Sequence, residues 1–175
     1  MKANLNSFSI HLERTPGVLR EMLSGLPEDL VRANEGGDTW SPFDVLGHLI
    51  HGEKTDWIPR AKIILSDSPD RRFVSFDRFA QFEESKGKSA DELLSEFSEL
   101  RAQNLDELRS LAIAKDDLKR TALHPELGTV NLEQLLNTWV VHDLDHIVQI
   151  SRTIAKQHSE AVGPWKEFIR VLKQN

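Results

Sequence analysis

NLEQLLNTWVVHDLDHIVQI, residues 131–150, combines a helix start, an apolar stripe and a pair of histidines in one segment. Asn131 has a side chain suited to capping the first backbone N–H groups, and Gln134 stands at the reciprocal position of a capping box. Leu132, Leu135, Leu136, Trp139, Ile147, Ile150 and then Ile154 recur at the spacing of one helical face. The spacing predicts a long amphipathic helix. His142 and His146 stand one turn apart, with Cβ atoms about 5 to 6 Å from each other, on the same side as Leu135 and Trp139. Two imidazoles so placed can share one ion; equally, each can be a buried histidine bonded to a neighbour. Asp143 falls near the centre of the stripe, where a carboxylate requires a partner. It either accepts an N–H from a ligand imidazole or makes a structural bond, to a backbone N–H or an indole such as Trp40; the structural bond is the expectation. Asp145 is expected to face solvent.

Outward from this helix, the punctuation of the chain is helical. Thr15 and Pro16 mark the start of a first helix running to about Gly25, where Gly25 and Pro27 stop it. Ser41, Pro42 and Asp44 give a strong start to a second, expected to continue to about Leu65. Residues 66–88 contain SDSPD and SKGKS and read as a long crossover, with a short helix near Asp77 to Glu84. Ser89 and Glu92 cap a third helix carrying Leu93, Leu94, Phe97, Leu100, Leu105 and Leu108 and ending near Ala114. LKRTALHPELGTV suits an extended or hairpin-like connection. A short helix after Pro164, with Trp165, Phe168, Ile169 and Leu172, is expected to close the bundle. The fold class that follows is all-α, a four-helix bundle with a long crossover connection.

Composition narrows the function. A chain of 175 residues fits one domain, 1–175, with a real core. A net charge of -6 with scattered basic residues argues against a nucleic-acid partner. No apolar run approaches the roughly 20 residues that span a bilayer, and the first residues do not read as a secretory signal, so the expected compartment is the cytoplasm. With no cysteine, disulfides, thiolate ligands and cysteine nucleophiles are excluded. Any thiol chemistry has to come from a partner molecule. The tryptophans, Trp40, Trp57, Trp139 and Trp165, read as core and capping residues.

A catalytic metal site commonly uses three protein ligands and leaves a position for water, so a third imidazole is the question. WSPFDVLGHLIHGE, residues 40–53, offers His48 and His51, and periodicity does not choose between them. Gly47 and Gly52 suggest close helix approach or room for a ligand. Glu53, near the inner face, is a candidate base beside a metal, although a buried salt bridge with an arginine is the expectation. His11 and His158 read as solvated, and His124 lies in a connection.

WSPFDVLGHLIHGE followed by HPELGTVNLEQLLNTWVVHDLDHIVQI resembles the DinB-like superfamily, in particular its DinB/YfiT-type four-helix bundles of metal-dependent enzymes. The most specific features are the Trp-Ser-Pro start with a histidine eight residues after the tryptophan, and the HDxDH segment. The resemblance implies that His48, His142 and His146 bind a divalent ion, zinc or nickel, and it selects His48 over His51. It implies also a homodimer and a small-molecule substrate. The leading expectation is a metal-dependent enzyme activating water or a low-molecular-weight thiol such as bacillithiol or mycothiol, hence a thiol S-transferase. A metal-dependent hydrolase and a non-catalytic, stress-related metal- or ligand-binding dimer are the alternatives.

Overall fold

The computed structural model describes residues 5–173. Four helical stretches build the bundle: α1 (Leu5–Leu23), α3 with α4 (Pro42–Thr55 and Trp57–Leu65), α6 (Ala90–Ser110) and α7 (Leu132–Gln157). The short α2 (Glu28–Arg32) and α5 (Ala80–Glu84) lie in the connections, and α8 (Ser159–Val162) follows α7. α6 packs against both α1 and α3, and α7 against the same two from the other side. The all-α, four-helix expectation holds.

All three capping boxes form. Ser41 Oγ accepts from the Asp44 N–H at 3.2 Å while Asp44 Oδ2 accepts the Ser41 N–H at 2.9 Å. Ser89 with Glu92 and Asn131 with Gln134 repeat the exchange at the starts of α6 and α7, satisfying donors that a helix start otherwise leaves open. The predicted hairpin is β1 (Thr121–His124) paired antiparallel with β2 (Gly128–Asn131). The crossover leans on it: the Phe73 N–H donates to Leu123 O at 2.9 Å, and the Leu123 N–H to Arg71 O at 2.8 Å.

Three expectations about elements need correction. Pro16 does not open α1 but sits inside it; its missing N–H leaves the Leu12 carbonyl without its helical donor, and another group takes that place. The second helix is not continuous to Leu65, because Asp56 (φ -108°, ψ -68°) separates α3 from α4. Residues after Pro164 do not close the bundle. They form 3₁₀ turns over Gly163–Phe168 and Arg170–Leu172, with Trp165 71% and Phe168 85% exposed. Gly163 (φ 57°) turns the chain out of α8, and the periodic apolar residues that follow are too few to bury a face.

The core is split. One apolar cluster holds Leu12, Trp57, Ile58, Leu105 and Trp139; the other holds Leu19, Leu49, Ile50, Phe97 and Ile150. Between them each helix contributes buried polar groups: Thr15 on α1, His48, His51 and Glu53 on α3, Arg101 on α6, Asp143 and His146 on α7. A polar layer crosses the middle of the bundle.

Candidate metal centre

His48 from α3 meets His142 and His146 from α7 in that layer. The Nε2 atoms of His48 and His142 are 3.0 Å apart, and those of His142 and His146 are 3.1 Å apart. All ligand atoms of the trio lie within 4.8 Å of one another. His51, left open by periodicity, points elsewhere: its Nδ1 bonds Glu84 Oε1 at 2.9 Å on the α5 side. His11 and His158 are exposed, as expected.

Burial, reinforced by the neighbouring His146, brings the His48 imidazole down to about 3. Burial and the same neighbour bring His142 to about 2, and burial also lowers His146. Three rings at neutral pH are therefore uncharged, and each offers one nitrogen lone pair. Gln149 Oε1 lies 2.8 Å from His146 Nδ1; accepting Nδ1–H there leaves the lone pair on Nε2, facing the other two rings. Three neutral nitrogens all within 4.8 Å of one another suit a cation that each would approach at about 2.0 to 2.1 Å. Without a cation or a shared proton, lone pairs in that position face each other. The residues present fit a divalent ion.

Rings fix the trio. Trp40 packs against His48 with centroids 4.9 Å apart, and Phe76 meets it edge-on at 5.4 Å. Trp57 edges His142 at 5.1 Å and stacks on Trp139 at 5.7 Å. Behind the trio, Arg101 Nη1 donates to Asp143 Oδ2 at 2.6 Å and Nη2 to Asp143 Oδ1 at 3.0 Å. Nη2 also donates to Glu53 Oε1 at 2.8 Å, and the Trp139 indole donates to the same oxygen at 3.0 Å. Asn104 Nδ2 donates to Glu53 Oε2 at 3.0 Å. Glu53 thus makes the expected buried ion pair with an arginine. Asp143 is corrected: it is structurally bonded, but its partner is Arg101 rather than a backbone N–H or Trp40. Arg101 Nη1 also donates to Leu12 O at 2.9 Å, the carbonyl that Pro16 leaves free.

The trio opens on a cavity of about 540 Å³, within the roughly 300 to 1,000 Å³ of small-molecule sites. Phe73 and Phe76 from the crossover and Leu127 and Val130 around the hairpin line it. Asp56, Arg60 and Arg78 supply charge there. Burial outweighs the attraction of Arg60 and raises the Asp56 carboxyl to about 6. These three residues were not legible as site residues; the i, i+4 spacing of Asp56 and Arg60 is a signal for that pair, and Arg78 carries none. His124, set aside as a connection residue, also lines the cavity. Gly52 borders it, with the Trp57 indole nitrogen 3.3 Å from where a Cβ would lie.

No curated protein matches the sequence. Among solved structures, the chain is similar to YfiT from Bacillus subtilis, with 20% identity, a TM-score of 0.74 and coverage of 89% of this chain and 87% of that one. That protein is described as "a probable metal-dependent hydrolase with an unusual four-helix bundle topology". The shared topology agrees with a family pattern that matches residues 11–150, from α1 through most of α7 and across all three histidines. By that match the chain belongs to the DinB superfamily.

Proposed function

We propose that His48, His142 and His146 hold a divalent ion, zinc or nickel, and that the protein is a metal-dependent enzyme acting on a small molecule in the adjoining cavity. The observation that carries this reading is the convergence of three neutral imidazole nitrogens at one end of a roomy, partly apolar pocket. When bound, the ion would act as a Lewis acid and lower the pKa of a water or thiol beside it. The chain's own groups do the rest. Gln149 holds the His146 tautomer, and Trp40, Trp57 and Phe76 keep the rings in place and limit water behind them. Arg78 at the cavity wall, and Arg60 with Asp56 deeper in it, are placed to orient a polar or anionic substrate group. The Asp56 carboxyl, raised toward neutrality, is able to take or give a proton there.

Hydrolysis of a small molecule is supported by the description of the similar YfiT. A thiol S-transferase is the second reading, favoured by the absence of cysteine, since the nucleophilic sulfur would then enter as a small thiol. That version requires a reducing compartment such as the cytoplasm. A homodimer is supported by the exposed apolar stripe Val141, Leu144 and Val148 on α7. In the non-catalytic alternative the same site binds metal and ligand without turnover.

The test is metal content by inductively coupled plasma mass spectrometry on untagged protein, beside His48→Ala, His142→Ala and His146→Ala. About one equivalent in wild type, lost in each folded variant, is expected for a three-ligand site. No metal after addition of zinc and nickel would end the enzyme reading. Metal-loaded protein is then assayed on ester and amide panels and on electrophiles with and without a bacillithiol-type thiol. Turnover only with thiol selects the transferase, turnover without it the hydrolase, and no product the binding protein.

A further inference from the structure

The network behind the trio has more negative than positive charge. Arg101, Glu53 and Asp143 are 1%, 2% and 2% exposed, so all three charges are interior. The buried ion pairs of Glu53 and of Asp143 both go to the same guanidinium. The remaining donors to Glu53, the Trp139 indole and the Asn104 amide, are neutral. One cation against two carboxylates leaves one excess negative charge in a region where an unbalanced charge is costly. A cross-link between helices needs only one carboxylate per arginine. The second makes the layer anionic.

The excess lies next to the trio. Asp143 directly follows His142, and Glu53 stands on the helix that carries His48. Trp139, which donates to Glu53, stacks on Trp57, whose ring edges His142. The histidines themselves contribute three neutral donors and no charge.

We infer that Glu53 and Asp143, held by Arg101, are the counter-charge of the cation at His48, His142 and His146. The inference rests on the metal-binding reading above. A divalent ion on three neutral nitrogens brings two positive charges; the network behind offsets one. Glu53 and Asp143 are positioning residues: neither points a free oxygen at the trio, and both act through charge and through Arg101.

The test compares wild type, Glu53→Gln and Asp143→Asn by zinc titration calorimetry, and by urea unfolding of the metal-free proteins. Glu53→Gln keeps an oxygen for Arg101 and Trp139, and the Asn104 amide stays held by its second bond, to Glu53 O at 2.7 Å. The variant is expected to fold, since Arg101 keeps both oxygens of Asp143, while zinc binding weakens about 10- to 100-fold. Zinc binding in Glu53→Gln equal to wild type would overturn the inference and leave the metal site standing. Wild type that binds no zinc would overturn both. If Glu53→Gln fails to fold, Asp143→Asn carries the same comparison; failure of both to fold would show that the network is structural and overturn the inference.

Discussion

At the scale of single residues, Gly47 shows how tightly the site is framed. A Cβ there would run into Ser85 Oγ and lie 3.2 Å from Gln81 Cβ, so the close approach of α3 and α5 suits a residue 47 with no side chain. Gly47→Ala is expected to cost about 1 to 3 kcal/mol by urea unfolding, as overpacking does; unchanged stability would refute the close contact. The same α5 explains why the sequence alone leaves His48 and His51 undecided. α3 is buried from Pro42 through Glu53 except at Asp44, since α5, α6 and α7 cover different sides of it. A helix covered nearly all round has no single apolar face from which to measure a histidine. His51→Gln should therefore retain the metal that His48→Gln loses; equal loss in the two would contradict the placement of His51 against Glu84. Arg101, the arginine that pairs with Glu53, was not singled out, although its signal is in the sequence. It falls midway between Phe97 and Leu105 at i, i+4 spacing on the α6 stripe, a charge where the pattern demands a leucine.

At the scale of elements, the boundaries with a chemical signal were readable and those set by packing were not. Three capping boxes fix three helix starts through bonds between residues three apart, which the sequence contains whole. Ser41→Ala and Asn131→Ala should each lower stability by about 1 kcal/mol, measured by thermal or urea unfolding, and a neutral result would mean that packing alone starts these helices. The break at Asp56 has no such signal, because apolar residues continue through Trp57, Ile58 and Ile64 on both sides of it. The start of α1 was misplaced for a related reason: proline suits a first turn, yet tertiary contacts carry the helix through it. The segment after Pro164 has helical spacing, but only its end, Arg170–Leu172, rests against α7 while Trp165 and Phe168 stay exposed, and spacing without burial does not stabilise a helix.

At the scale of the whole molecule, the split core ties stability to what the polar layer holds. Zinc bound to the folded state alone should raise the unfolding free energy by about 2.7 kcal/mol at a hundredfold excess over the dissociation constant; a chelator should reverse the gain, and His142→Ala should abolish it. Stability should also depend on pH through Asp56. Its folded carboxyl titrates at about 6 against 3.8 ordinarily, so between those values the folded protein retains a proton that the unfolded chain has released. The contribution is complete below about pH 4 and is lost as pH rises through about 6, amounting to about 3 kcal/mol at most. The advantage of wild type over Asp56→Asn should accordingly shrink from pH 4 to pH 7, and parallel stability curves would refute it. One consequence of Pro16 spans the entire bundle. In an isolated helix it would be a missing rung, costing about 3 kcal/mol. Here Arg101 supplies that rung from outside, so α1, which provides no member of the trio, is moored to the carboxylates beneath it by the carbonyl of Leu12. A gap in one helix's backbone ladder becomes the peg on which the other three are hung.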